Sequence, residues 1–323
     1  MAAPPLKILI VGCSVAGPLL ATCLLISDLP AAEKPQITIL ERASGVRTQG
    51  QNVDVRGAGV TIIKKLGIEG LIRASTTGEE GVQFVDEHNR VWAAFGADKT
   101  GKTSTPTADI EILRGRLAEI CYQRSRTISD QVQQQGGPGI GYIFGDYLDE
   151  LEQNGDRVNV RFAKSGRRES YDIVIGADGL QSLTRRMTWG AEGEKERLKL
   201  LGMYGAYFSM SRGERDTMWR RWFHTTGRRA IMLRPDEQNG KTTAFLYVIN
   251  DKDDRLMSVA EAGRGDVDAQ KRLLQEYFQG AGWESGRVVR EMLTTDDFYY
   301  NPIAQIKMDK WSRGRVVLVG DAG

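Results

Sequence analysis

The arrangement of apolar and polar positions changes character along the chain. Near the N-terminus, apolar runs of strand length alternate with helix-like segments, as in buried parallel strands joined by helices. Leu6 to Val11 reads as the first strand, Leu19 to Leu29 as a helix and Gln36 to Leu40 as the second strand. From about Leu198 the pattern changes to longer, aromatic-rich strands with antiparallel alternation. The pattern therefore predicts an α/β protein that carries a second sheet of antiparallel character.

The remaining segments give further expected elements. Helices are predicted at Val60–Ile72, Gly115–Arg124 and Asp268–Gly280, and loops at 103–107 and Gln131–Gly141. Strands are predicted twice within Val82–Trp92, and at Tyr142–Phe144, Val158–Phe162, Tyr171–Ile175, Tyr204–Met210, Trp219–His224, Ala230–Leu233, Thr243–Ile249 and Val316–Val319.

A glycine turn follows the first strand directly and reads Gly12-Cys13-Ser14-Val15-Ala16-Gly17. In a βαβ dinucleotide unit, such glycines let the backbone approach a pyrophosphate above the helix N-terminus. An acid at the end of the second strand accepts the ribose hydroxyls, and Glu41 stands there. Ser14 replaces the middle glycine of the usual motif. The segment predicts a dinucleotide site, with a parallel α/β unit that binds no nucleotide as the alternative.

Composition narrows the class of protein. The 323 residues suffice for two domains, or for one large α/β domain with an insertion. A net charge of +2 speaks against nucleic acid or an anionic membrane as partner, and no stretch approaches the roughly 20 apolar residues of a membrane span. Three cysteines and two histidines predict a reducing, cytoplasmic setting and no metal site.

Two further strand ends carry chemistry of the same kind. Asp178-Gly179 follows a buried strand and precedes Ser182 and Arg185, and Gly320-Asp321 follows the strand near the C-terminus. Three strand ends can serve one ligand only if their strands share a sheet. Between them, the glycine- and arginine-rich segment 42–59 is expected to lie against a flat charged ligand or to be a flexible connection.

These motifs in combination resemble the FAD-dependent aromatic hydroxylases related to p-hydroxybenzoate hydroxylase, and within them the tetracycline-inactivating monooxygenases and their fungal relatives. The resemblance implies an FAD-binding, Rossmann-like domain of the glutathione-reductase type with an inserted antiparallel-sheet substrate domain. Residues 1–80, 105–190 and 300–323 would form the FAD domain, and 81–104 and 191–299 the substrate domain. The cofactor-binding residues that it implies are Gly12, Ser14, Ala16, Gly17, Glu41, Arg42, Gln51, Arg114, Asp178, Gly179, Gly320 and Asp321.

The resemblance also implies roles for these groups. Gly12 and Gly17 would hold the pyrophosphate, Glu41 the adenosine ribose and Asp321 the ribitol chain. Arg114 would reach the phosphate or ribitol region, and Asp178-Gly179 would serve both FAD and the nicotinamide donor. NADPH or NADH would reduce the flavin, and O2 would supply an oxygen atom to an aromatic or polyketide-like small molecule.

Substrate-binding residues are harder to assign, and no catalytic residue is assigned. Arg56 is a candidate for the flavin or substrate side, with a surface arginine paired to a carboxylate as the alternative. Four aromatic residues are candidates for a ring-accepting pocket, with ordinary packing in the second sheet as the alternative. They are Tyr207, Phe208, Trp222 and Phe223.

The chain ends at Gly323, where the family continues into a helical segment. The expectation is that the protein either continues further or is a shortened member that binds FAD poorly and hydroxylates little. The alternative function is therefore a truncated flavin- or nucleotide-binding protein without oxygenase activity. An NAD-linked dehydrogenase that uses the first βαβ unit alone ranks last, because it leaves the other two strand ends unexplained.

Overall fold

The computed structural model describes residues 4–47, 50–98, 107–236, 239–261 and 266–323. The chain divides into two compact units. The first unit comprises Met1–Thr48, Gly115–Lys199 and Gln305–Gly323, and the second comprises Gln49–Arg114 and Leu200–Ala304.

The described residues form the following helices and strands. The helices are α1 (Ala16–Leu25), α2 (Ala58–Lys65), α3 (Glu69–Arg73), α4 (Arg114–Gln134), α5 (Leu183–Trp189), α6 (Glu194–Arg197), α7 (Asp254–Glu261), α8 (Val267–Phe278) and α9 (Ser285–Thr294). The strands are β1 (Lys7–Val11), β2 (Gln36–Glu41), β3 (Asn52–Asp54), β4 (Gly81–Val85), β5 (Val91–Gly96), β6 (Glu111–Leu113), β7 (Ile140–Phe144), β8 (Leu148–Gln153), β9 (Val158–Phe162), β10 (Arg168–Tyr171), β11 (Ile173–Gly176), β12 (Leu198–Ser211), β13 (Trp219–Thr225), β14 (Arg229–Asp236), β15 (Lys241–Ile249), β16 (Tyr299–Ile306), β17 (Ser312–Arg313) and β18 (Val316–Leu318).

The first unit is built on a six-stranded sheet in the order β17-β18-β11-β1-β2-β7. Strand β1 pairs in parallel with β2 and β11, and β11 pairs in parallel with β18. The apolar run of β1 is buried, with Leu9 and Ile10 both 0% exposed. Because these strands run in parallel, the loops that follow them leave from one edge of the sheet. The predicted parallel α/β architecture is confirmed.

The second unit contains a seven-stranded sheet in the order β16-β12-β15-β14-β13-β4-β5. Most neighbours are antiparallel, while β4 runs parallel to β13. One face of this sheet packs with α8 and α9 in a common apolar core, to which Ile231, Leu246, Phe278 and Met292 each contribute a fully buried side chain. The inserted antiparallel sheet expected from the sequence is therefore present.

Several elements differ from those predicted. The segment Val60–Ile72 forms two helices, because Gly67 adopts a φ of +69° between them. Helix α4 continues to Gln134, since glutamine is a good helix former, and the expected loop shrinks accordingly. Strand β8 was missed because LDELEQ carries little apolar signal. The predicted loop 103–107 lies outside the described residues except for Thr107.

The division of the chain also differs from the predicted domain boundaries. Residues 49–80 and 107–114, assigned from the sequence to the FAD domain, fall in the second unit. The physical reason is local pairing: β3 forms a two-stranded antiparallel ribbon with β6, and Thr76 forms a bridge to Ile112.

The core beneath the seven-stranded sheet gives a first prediction. We expect Phe278→Ala to lower the free energy of unfolding by about 3–5 kcal/mol, because it empties a site where Phe278 is 0% exposed. Leu293→Ala on α9 is the control, since Leu293 is 40% exposed and should change it by under about 0.5 kcal/mol. Urea titration followed by fluorescence measures both, and equal effects would contradict this packing.

Candidate functional site

The glycine turn after β1 is held by close backbone contacts. Gly12 has a φ of +116°, and a Cβ atom there would lie 2.3 Å from the carbonyl oxygen of Ala177. A Cβ atom on Gly17 would lie 2.0 Å from the carbonyl oxygen of Gly12. Neither position has room for a side chain, so the turn passes tightly from β1 into α1 and against the end of β11.

The N-terminus of α1 presents unsatisfied amides beside this turn. The first N–H groups of a helix lack intrahelical partners, and Val15 at the N-cap has no side-chain acceptor. Ser14 and Ala16 are half-buried, whereas the flanking Gly12 and Gly17 are buried. The first turn carries no acidic residue. This end of α1 therefore offers positive potential and N–H donors to an anion.

Glu41 turns its carboxylate toward the same loop. One carboxylate oxygen accepts the backbone N–H of Cys13 at 3.0 Å, and the other accepts that of Ala43 at 2.9 Å. Each oxygen can still accept another donor, such as a ribose hydroxyl. Burial, with a smaller contribution from Glu41, raises the pKa of the Cys13 thiol to about 12. Cys13 is therefore neutral and adds no charge beside an anionic ligand.

Asp178 has a structural task at the start of α5. Its carboxylate accepts the hydroxyl of Ser182 at 2.5 Å, and the backbone N–H and hydroxyl of Thr184 at 3.0 and 3.1 Å. Gly179 next to it has a φ of +81° and open space on the side where a Cβ atom would stand. The carboxylate therefore holds the start of α5, and the cofactor role of Asp178 stays a prediction.

The turn at Gly320–Ala322 lies against the glycine loop. A Cβ atom on Gly320 would lie 3.3 Å from the Cβ atom of Ala16, and Gly320 and Asp321 are exposed. Arg185, 0% exposed, holds this turn by donating to the carbonyl oxygen of Ala322 at 2.8 Å. The ends of β1, β11 and β18 are therefore brought together in the first unit, as sharing one sheet requires.

Arg185 also anchors its own surroundings. It donates to the carbonyl oxygen of Leu180 at 2.7 Å and to the carboxylate of Glu194 at 2.5 Å. The sequence pointed to Arg185 only as part of a motif. Its partner Ala322 is 137 positions away, so sequence spacing gave no sign of this contact.

The other predicted cofactor residues lie partly in the second unit. The N–H of Arg114, the first residue of α4, donates to the carbonyl oxygen of Gln51 at 3.0 Å. A Cβ atom on Gly50 would lie 3.2 Å from the Cβ atom of Arg114, so Gly50 lets the arginine stem lie close. Gln51 Oε1 is buried without a hydrogen-bond partner among the described residues. Arg42, in the first unit, is exposed.

Arg56, the predicted substrate residue, forms an exposed ion pair. Its Nη2 lies 3.0 Å from a carboxylate oxygen of Asp54, and the arginine side chain is 38% exposed. This matches the alternative of a surface arginine paired with a carboxylate. A substrate role for Arg56 stays a prediction.

The four aromatic candidates separate onto opposite faces of the seven-stranded sheet. Phe208 and Phe223 join the buried core that includes the helices. Tyr207 and Trp222 lie on the other face, which we call the ring face. A straight row crosses it from strand to strand, because directly paired residues share a face. The row is Tyr207, Phe245, Met232, Trp222 and Phe84.

Tyrosine hydroxyls cluster at the buried end of the ring face. The Tyr207 ring packs edge-on against Phe245 at 4.8 Å between centroids and lies 6.1 Å from the Tyr247 ring. The hydroxyl of Tyr207 occupies space over Gly205, where a Cβ atom would come within 2.6 Å. Burial raises the pKa of both Tyr207 and Tyr247, so both are neutral donors.

A buried charge network borders this row, and no motif in the sequence indicates it. Arg234 Nε donates to Glu79 Oε2 at 3.0 Å, and Arg234 also pairs with Glu111. Arg220 pairs with Glu79 at 3.4 Å. The carboxylates come from residues far away in the chain, which only the folded structure brings beside the two arginines.

The described residues contain neither a candidate membrane span nor a candidate metal-binding group. No helix in the described ranges is both long and apolar enough to cross a membrane. Within the same ranges, no group of three His, Cys, Asp or Glu side chains is arranged to hold a metal ion.

Comparison with known proteins decides the family. A family model described as FAD binding domain matches residues 5–323. The FAD-dependent monooxygenase asL6 of Sarocladium schorii is 33% identical over 98% of this chain and 74% of its own length. The chain belongs to the FAD-binding family of flavin-dependent monooxygenases. The flavin-dependent monooxygenase eupH of a Phoma species is also 33% identical, over 98% of this chain and 71% of its length.

Solved structures agree with this assignment. The crystal structure of tetracycline destructase Tet(51) covers 99% of this chain and 75% of its own, with a TM-score of 0.76 and 29% identity. Klebsiella pneumoniae HpxO, solved with FAD and uric acid, shares the fold at a TM-score of 0.69 and 18% identity. FAD is the cofactor of this family, and the tight glycine turn, the uncapped α1 and the Glu41 carboxylate fit its anionic and hydroxyl groups.

The contacts of Glu41 lead to a prediction about FAD binding. We expect Glu41→Ala to weaken FAD binding by about 1–3 kcal/mol, because ribose hydroxyls and the Cys13 amide lose their acceptor. Titration of apoprotein with FAD measures the change. Glu33→Ala, which removes an exposed carboxylate from the same unit, is the control. An unchanged dissociation constant for Glu41→Ala would remove Glu41 from the site.

Proposed function

We propose that this flavin-dependent monooxygenase uses NADPH or NADH and O2 to hydroxylate or epoxidise an aromatic or polyketide-like small molecule. The observation that carries the substrate class is the ring face, where Tyr207, Phe245, Trp222 and Phe84 stand in one row across the sheet. Two relatives are named tetracycline destructases, and they share 29% identity with this chain. Both observations support a flat, ring-containing substrate.

In this proposal the first unit binds most of the cofactor. The amides at the start of α1, with Gly12, Ser14, Ala16 and Gly17, would receive the pyrophosphate. Glu41 would accept the adenosine ribose hydroxyls, since its carboxylate oxygens retain acceptor capacity beyond the Cys13 and Ala43 amides. Arg42 would remain at the rim, where its exposed guanidinium can meet a phosphate or water.

The other two strand ends would complete the cofactor site. Asp321 would bind the ribitol chain, and the hold of Arg185 on Ala322 supports a fixed position for that turn. Asp178 would act by capping α5 and keeping Gly179 in its left-handed conformation. The open space beside Gly179 supports a close approach by FAD or by the nicotinamide donor.

Gln51 and Arg114 would bind the flavin's phosphate or ribitol region. Gly50 has no side chain, so the backbone beside it leaves room for the stem of Arg114 to lie close. The buried Gln51 Oε1, an acceptor without a partner among the described residues, suits a hydroxyl donor. Arg56 would assist on the substrate side if its exposed pair with Asp54 opens.

FAD, when bound, would supply the redox chemistry that links the nicotinamide donor to O2. The chain's own contribution is binding, orientation and exclusion of water. The Tyr207 and Tyr247 hydroxyls remain protonated, because burial raises the pKa of each, and they are hydrogen-bonded to each other. One O–H of the pair is therefore left to donate to an oxygen on the substrate. The surrounding rings supply an apolar wall that keeps water from the reacting groups.

The named relatives bear on the alternative function, and the cysteines bear on the cellular location. A flavin-binding protein without oxygenase activity is not favoured, because the relatives with 33% identity to this chain are named monooxygenases. A cytoplasmic location is proposed from the cysteines, which are all thiols and not disulfides.

The direct test of the function is flavin content together with product formation. We expect purified protein to show flavin absorption near ~370 and ~450 nm, and a multi-ring phenol to stimulate NAD(P)H oxidation with one oxygen added to the product. Protein that holds flavin yet oxygenates no ring compound would overturn the substrate class, and protein without flavin would overturn the cofactor site.

Adjacent residues on β13 allow a matched test of the ring face. We expect Trp222→Leu to raise KM for a ring substrate about fivefold or more, because Trp222 stands on that face. Phe223→Leu should instead lower the free energy of unfolding by roughly 1–2 kcal/mol, since Phe223 packs in the helix-covered core. The same response from both variants would contradict the separation of faces.

Arg114 gives a second test of the cofactor site. Arg114→Lys keeps the charge but loses the planar guanidinium, so flavin content should fall at a phosphate-binding position. Arg116→Lys is the control, because Arg116 pairs at the surface with Glu119. The ratio of flavin to protein absorbance measures both. A fully loaded Arg114→Lys variant would exclude Arg114 as a cofactor ligand.

A further inference from the structure

Phe84 is the centre of a second aromatic group on the ring face. Four rings surround it, with centroid distances of 5.5 Å to Trp92, 6.3 Å to Phe95, 5.8 Å to Trp222 and 6.1 Å to His224. Trp222 and His224 also lie stacked at 5.3 Å. These rings come from three neighbouring strands, β4, β5 and β13, and we call them the edge cluster.

The edge cluster is exposed where an aromatic group would normally be covered. Trp92 is 69% and Phe95 is 49% exposed, while Phe84 and Trp222 are half-buried. Leaving such large apolar rings in water forgoes the free energy of burial. A contiguous patch of this kind usually marks a binding surface.

The edge cluster is continuous with the row already assigned to the substrate. Tyr247 lies 6.3 Å from Trp222 and 6.1 Å from Tyr207, so ring contacts run unbroken from the buried end to the exposed end. From β12 to β5 the sheet advances five strands, or about 24 Å at the usual interstrand spacing. A single aromatic ring, which is about as wide as the spacing of these centroids, covers only a small part of that length.

We propose that the edge cluster is a distal subsite that binds the far rings of a planar substrate of three or more fused rings. This inference rests on the proposed function and adds to it the size of the substrate. The near ring would lie between Tyr247 and Trp222, whose ring centroids are 6.3 Å apart. The far rings would cover Phe84 and Trp222, with Trp92 and Phe95 closing over them from the edge strand.

The chemistry of the cluster favours an uncharged planar ligand. Phe84, Trp92, Phe95 and Trp222 carry no formal charge and offer ring faces and edges for stacking. Burial lowers the pKa of His224, so this imidazole is neutral at physiological pH. Asp86, Glu87 and Arg90 lie on the turn between β4 and β5, and Arg221 precedes Trp222 on the opposite face of β13. A charged polymer has no partner among these rings.

The test compares a three-ring and a one-ring probe on the flavin-loaded protein. The probes are 1,8-dihydroxyanthraquinone and resorcinol, and equilibrium dialysis gives the dissociation constant of each. We expect Trp92→Ala to weaken the three-ring probe roughly five- to tenfold relative to resorcinol. Phe84→Leu should weaken it at least as much, because Phe84 contacts four of the rings.

Val91→Ala is the matched control on the same edge strand. Val91 pairs with Val85, which belongs to the helix-covered core, so Val91 points away from the ring face. This variant should leave the ratio of the two dissociation constants within twofold of the wild-type value. An equal change in Val91→Ala and Trp92→Ala would show that strand stability, and not ring contact, controls binding, and would overturn the proposal.

Two other results would overturn the subsite. One is an unchanged ratio in Trp92→Ala and Phe84→Leu. The other is an unchanged ratio of dissociation constants in Trp92→Ala together with a lower molar mass, measured by sedimentation. That result would show that the edge cluster pairs with a second copy of the chain. Flavin content and oxygenated product are measured in the same samples. A shifted ratio of the two dissociation constants without oxygenated product would support the subsite and refute the proposed function. Oxygenated product with an unshifted ratio would support the proposed function and refute the subsite.

Discussion

The parallel pairing of β1 with β11, and of β11 with β18, is the constraint on which the candidate cofactor site depends. In this register Val11 lies opposite Gly176, and Gly176 lies opposite Leu318, so three loops begin at one level of the sheet. The backbone of Gly12 then passes so near to Ala177 that a side chain has no room. The packing of these strand ends therefore requires glycine. Because glycine has no side chain, the backbone N–H groups there stay accessible to a pyrophosphate.

In the second unit, the two-residue period of a strand decides which face of the sheet each aromatic residue occupies. Tyr207 and Phe208 are neighbours in sequence, yet one faces Phe245 and the other the helix-covered core. A list of aromatic residues in a strand thus contains two populations, one on the ring face and one in the helix-covered core. Their separation needs the register between strands, which decides which residues of separate strands form one continuous surface.

Local sequence accounts for much of the fold and for part of the candidate site. The glycine turn, Glu41 and the buried runs of β1 and β11 are readable because their signals lie within a few residues of one another. Contacts between distant residues are not readable in this way. Arg185 meets Ala322 137 positions away, and Arg234 meets Glu79 155 positions away, so neither sequence spacing nor periodicity indicates them. Asp178 was assigned chemistry from its motif, while its hydrogen bonds reveal a helix cap.

The buried charge network explains how the ribbon of β3 and β6 is fixed beside the ring face. Asn52 Nδ2 donates to Glu111 Oε1 at 2.9 Å, and Glu111 pairs in turn with Arg234 on the sheet. Losing one member of a buried ion pair typically costs about 3–5 kcal/mol, because the other charge stays buried without a partner. The ribbon is flanked by Gln51 and Arg114, the cofactor candidates of this unit. The same interaction therefore joins the ribbon beside these candidates to the arginine that borders the ring face.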